Sequence, residues 1–117
     1  MVDPDAISDE EFARVLGESR PISLCVLRPG PNRFAEGAMA IIREHGRRNI
    51  ALRAEGTLAI VIPVPDSQEL SGVGVFRGDV DTVRALMEDD PAVKAGILTS
   101  TIYSARSFPG DAIPFQD

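Results

Sequence analysis

The chain has 117 residues, 44% of them apolar and 26% charged, the balance of one globular domain long enough to bury a core. Eighteen acidic against twelve basic residues leave a net charge of −6, which argues against a nucleic-acid partner because phosphate backbones need a basic face. The single cysteine, Cys25, excludes an internal disulfide and a Cys-based metal site, and no apolar run nears the ~20 residues of a membrane span.

Residues 1–20 are acidic and weakly patterned, and are expected to form an extension to the domain. Ser8-Asp9-Glu10-Glu11 reads as a capping box, which predicts a short helix over 9–17 ended by Gly17. The start, Met1-Val2-Asp3-Pro4-Asp5, has neither the basic nor the apolar region of a signal peptide, so the expected location is cytoplasmic.

The domain proper is expected over 21–108. Ile22-Ser23-Leu24-Cys25-Val26-Leu27 is too short for a helix and predicts a strand, stopped by the turn chemistry of Arg28-Pro29-Gly30-Pro31-Asn32. Helical periodicity follows over 33–55. Phe34, Ala38, Ile41, Ile42, His45 and Leu52 share one face, with Gly56 as C-cap. Eleven of the twelve basic residues are Arg, and four of them (Arg43, Arg47, Arg48, Arg53) crowd this segment, either as a solvated helix face or as a binding patch.

Leu58–Ile62 predicts a second strand, closed by Pro63. Gly72-Val73-Gly74-Val75-Phe76 predicts a third, whose glycines admit close approach of a backbone or a ligand. A second helix is expected from Asp79, its N-cap, to Glu88, with Val80, Val83 and Met87 inward; Asp89-Asp90-Pro91 ends it. Ile97–Arg106 is the last strand, and 109–117 a tail. The order β-α-β-β-α-β defines an α+β, ferredoxin-like fold. Its strands carry apolar residues on both faces while two helices cover only one. The expected state is therefore a homodimer whose sheets meet face to face.

His45, the only histidine, falls on the apolar face of the long helix. A polar ring there costs about 1–3 kcal/mol unless its nitrogens are satisfied. It is either a core histidine bonded to a backbone carbonyl or a proton-transfer group tuned by a carboxylate. Asp90 is the natural carboxylate, on a side of the second helix similar to Val83 and Leu86; its other reading is plain helix-stop chemistry. Arg28, beside the Pro-Gly-Pro loop, is a candidate for binding a substrate carboxylate or a surface arginine. One histidine, one cysteine and scattered carboxylates fit no metal-ligand spacing, and no Gly-rich phosphate loop joins a strand to a helix.

Two segments carry a resemblance. His45 with Leu52-Arg53-Ala54-Glu55-Gly56-Thr57-Leu58 resembles the "H…L…EGxL" segment of the YCII-related (YciI-like) family, and Asp90-Pro91-Ala92-Val93-Lys94-Ala95-Gly96-Ile97 resembles its "DPxVxAGV" segment. Pro63 stands where the family has the proline of a Gly-Pro pair, and Ser71 matches a small or serine position. The resemblance covers roughly residues 22–108. It implies a dimeric α+β barrel and a catalytic His–Asp pair at His45 and Asp90. Arg28 or Ser71 is then expected to hold the substrate. Some relatives are dehydrochlorinases, and muconolactone isomerases share the wider fold. The sequence departs from the pattern at Ile62, in place of the glycine, at Ala92, in place of an aromatic, and at Ile42, in place of an arginine. The expected function is a small cofactor-free lyase, isomerase or dehydrochlorinase-like enzyme acting on a small cyclic or aromatic anion. The alternative is a non-catalytic dimeric module that binds a small ligand or helps a partner assemble.

Overall fold

Side chains on an extended strand alternate between two faces, and the first strand, β1 (Arg20–Pro29), shows this directly. Ser23, Cys25 and Leu27 are buried, while Ile22, Leu24 and Val26 between them are only half-buried. In the computed structural model, which describes residues 1–116, β1 pairs antiparallel with both β3 (Gly72–Phe76) and β4 (Leu98–Ser107), and β2 (Leu58–Pro63) adds to β3. The protein is thus α+β, with a four-stranded antiparallel sheet in the order β2-β3-β1-β4.

Among the described residues four α-helices accompany the sheet: α1 (Asp9–Gly17), α2 (Ala38–Ala54), α3 (Val80–Glu88) and the one-turn α4 (Pro91–Lys94). Helix α2 lies over β2 and against α4, and α3 lies over β4. Between helices and sheet sits one core, built from Cys25, Leu58, Phe76, Val83, Met87 and Leu98 with their neighbours. Helix α1 begins at the expected Ser8 cap, whose hydroxyl accepts from the Glu11 N–H at 3.1 Å, but it buries no residue. No helix among the described residues is long and apolar enough to cross a membrane.

Three expectations change. The long helix starts at Ala38 rather than 33, and Phe34 lies before it, 91% exposed. Tertiary hydrogen bonds take residues 30–32 instead. Gly30 N–H donates to Ile97 O at 2.8 Å, Asn32 N–H to Gly96 O at 2.9 Å, and Asn32 Nδ2 to Ala95 O at 2.9 Å. A Cβ at Gly30 would collide with the Gly96 carbonyl, so the loop passes there only as glycine.

Strand β2 also departs from simple alternation. Leu58 pairs with Phe76 but Ile60 pairs with Val75, leaving Ala59 as a bulge. The extra residue puts Leu58 on the helix side and Ile60 and Ile62 on the opposite one. Finally, Asp90 does not lie on the second helix. It caps a separate turn, α4, which periodicity does not reveal because four residues are too few to carry a period.

Candidate functional site

His45 is held at the centre of α2 and is 9% exposed; Asp90 is fully buried at the start of α4. Their side chains meet, with His45 Nδ1 2.9 Å from Asp90 Oδ1. The other carboxylate oxygen, Oδ2, accepts from the backbone N–H groups of Ala92 (3.0 Å) and Val93 (3.2 Å), the N-cap bonds of α4. Asp90 therefore caps a helix and orients the histidine at the same time. Burial pushes its carboxyl pKa up. The hydrogen bond and charge of His45, then the Val93 and Ala92 amides, outweigh that and hold it below the ordinary 3.8.

An ionised Asp90 can only accept, so Nδ1 carries a proton, and in the neutral imidazole Nε2 is left with its lone pair. Asn49, one turn further along α2, donates to that lone pair from Nδ2 at 3.2 Å. Arg48 completes the surroundings. Its Nη2 donates to Leu86 O at 2.6 Å, and its buried Nη1, which makes no hydrogen bond, stands 3.5 Å from Asp90 Oδ1. Sequence reading missed both Asn49 and Arg48. Their positions i+3 and i+4 from the histidine are the signal that finds them.

His45 and Asn49 open onto a cleft of about 900 Å³ between α2 and the sheet, the size of a small-molecule site. The cleft exists because the sheet under α2 is bare. Gly72 and Gly74 are in register with Leu27 and Cys25 on the helix side. A Cβ at Gly74 would press on the Phe76 ring at 3.0 Å, and one at Gly72 on the Ile62 carbonyl at 3.1 Å. Cys25 forms part of the lining, yet burial first and the Asp90 charge second push its thiol pKa up to about 11. It stays protonated and is not a nucleophile.

The remaining candidates separate. Ser71 lines the cleft, its N–H donating to Leu27 O at 2.8 Å. Arg28 does not reach it. By alternation it shares the open sheet face with Val26, and its Nη1 donates to Thr101 Oγ1 at 3.4 Å. The structure thus gathers His45, Asp90 and Ser71 on the helix side and leaves Arg28 on the other. Among the described residues no three His, Cys, Asp or Glu side chains gather as a metal set.

Comparison with protein-family models finds none that matches the chain, and comparison with the curated proteins finds no match either.

Proposed function

We infer that the chain is a ferredoxin-like domain of YciI-like type that works as a homodimer. In this reading its His45–Asp90 pair transfers protons on a small cyclic or aromatic anion, in a lyase, isomerase or dehydrochlorinase-like reaction. The observation that carries this reading is the buried 2.9 Å bond from His45 Nδ1 to Asp90, with Nε2 turned to a cleft. Asp90 sets the tautomer and stabilises the imidazolium. Nε2 removes a proton from substrate carbon and returns it to the product or leaving group. Asn49 must release Nε2 for that step. Support for the fold comes from the strand order β2-β3-β1-β4 with helices on one face. Support for the dimer comes from the uncovered face, where Leu24, Val26, Val73, Val75 and Ile60 are half-buried and Tyr103 is 46% exposed.

One observation favours the second reading, a non-catalytic binding module: Asn49 already satisfies Nε2, as in a structural histidine. An activity screen on ring-opened lactones and halogenated hydroxyquinones separates the two. The catalytic reading expects a turned-over compound whose rate falls about 10²–10⁴-fold in His45→Asn. Turnover that survives this substitution removes the histidine from the mechanism. Ligand binding without any turnover selects the module.

A further inference from the structure

The chain is acidic, with eighteen Asp and Glu among 117 residues, yet none of the residues lining the cleft is acidic. The lining instead contains two arginines, Arg33 and Arg53, besides His45. Among the described residues four arginines are matched to carboxylates, Arg14 to Glu18, Arg47 to Glu44, Arg48 to Asp90 and Arg84 to Asp81, and the other seven are not. Among the described residues Arg33 and Arg53 form no such ion pair; Arg33 rests over the Phe34 ring, 5.1 Å from its centroid. A cleft stripped of negative charge in a negative molecule, with two free guanidinium groups, attracts anions.

Arg53 is the better placed of the two. His45, Asn49 and Arg53 follow one another at four-residue steps on α2 and so form one stripe along the cleft. His45 and Arg53 are separated by about 12 Å along the helix axis, and a helical side chain leans back toward the N-terminus. Arg53 therefore borders the cleft on the far side of Asn49 from the histidine. Apolar groups line the cleft along this stretch, notably Ile50, Leu58 and Phe76 over the glycine floor.

We propose that Arg53 is the anchor for a carboxylate, and that the ligand is a ring-bearing organic acid whose ring lies between this anchor and His45. The planar guanidinium fork suits a carboxylate in particular. Arg33, at the opposite end of the cleft, adds field without direct contact. This names the anion-holding residue of the site inferred above, and so rests on that reading for the location of the cleft but not for its chemistry.

Calorimetric titration with benzoate and with its neutral counterpart benzamide tests it. Benzoate is expected to bind at millimolar concentration, at least about tenfold more tightly than benzamide, because a hydrogen-bonded charge pair is at stake. Arg53→Gln is expected to abolish that preference, whereas Arg33→Gln reduces it only about twofold to threefold and loses this remainder in added salt. The His45→Asn variant should keep the preference, so a failed proton-transfer reading leaves this result intact. Far-ultraviolet circular dichroism checks that each variant is folded; the exposed Arg53 side chain makes no ion pair whose loss would unfold the chain. Equal binding of benzoate and benzamide, absence of benzoate binding, or an undiminished preference in a folded Arg53→Gln protein each overturns the proposal.

Discussion

Strand β1 feeds both faces of the sheet with alternate residues, and the two faces meet opposite treatment. On one side, Ser23, Cys25 and Leu27 lie beneath helices, the Ser23 hydroxyl donates to Gly78 O at 2.8 Å, and His45 is held by Asp90 and Asn49. On the other side, Ile22, Leu24 and Val26 are half-buried among neighbours in their own sheet, with no second layer over them. The helix-covered face has an apolar interior in which Ser23, His45 and Asp90 are the buried polar residues. The open face is apolar and carries its one proposed site residue, Arg28, away from the cleft. The contrast separates a covered face that holds a cleft from an open face that has none.

The largest effect expected from breaking this arrangement comes from Asp90→Leu. It leaves His45 Nδ1 and the Ala92 and Val93 amides without their common acceptor and Arg48 without its counter-charge, and should cost about 3–5 kcal/mol in denaturant unfolding. A loss below ~1 kcal/mol would mean that water takes over these donors and that the pair is not sealed. Leu58→Ala, which opens a hole in the core on the same face, is expected to cost about 2–5 kcal/mol. Leu24→Ala on the open face should cost less than ~1 kcal/mol within a single protomer. Leu24→Asp sharpens the comparison further. If sheets pair, sedimentation should show it as a monomer where the parent chain is a dimer; identical sedimentation of the two proteins would refute the association surface.

The acid limb of stability provides a finer test. Asp90 has a folded-state pKa below its ordinary value, so the unfolded chain takes up the proton first. Its stabilising contribution is complete above about pH 4 and is lost as pH falls through the lowered folded value. In that range the parent protein should lose stability more steeply than Asp90→Asn, by up to about one proton, or ~1.4 kcal/mol per pH unit. Parallel acid limbs would mean that Asp90 titrates alike in both states. The smallest effect belongs to a segment outside both faces. Ser8→Ala should weaken α1 locally by about 1 kcal/mol and leave the global unfolding midpoint unmoved, because α1 buries nothing.

Much of the architecture is legible in the chain because it is written in short-range periods and caps. The alternation around Cys25 marks β1, the apolar stripe with His45 marks α2, and Asp79, whose carboxylate accepts from the Thr82 N–H at 2.7 Å, marks the start of α3. His45 and Asp90 also stand out as polar groups beside apolar faces. Two of the misreadings come from pairing between segments distant in sequence, and the third from the shortness of one helix. Phe34 continues the helical stripe on paper, but Gly30 and Asn32 are bound to the 95–97 segment and delay the helix to Ala38. The bulge at Ala59 turns β2 over, and α4 is too short to announce itself.

The sequence by itself determined the succession of the four strands and the two longer helices between them, the layer that His45 belongs to and the excess of acid, since each depends on residues within a turn or two of one another or on totals. Only the tertiary structure decided that Asp90 caps α4 while holding Nδ1, that Asn49 occupies Nε2, and that Arg28 faces away while Arg53 looks into the cleft. Those facts depend on how α2, α4 and the sheet stack, and stacking is fixed by packing between segments tens of residues apart, which no local pattern records.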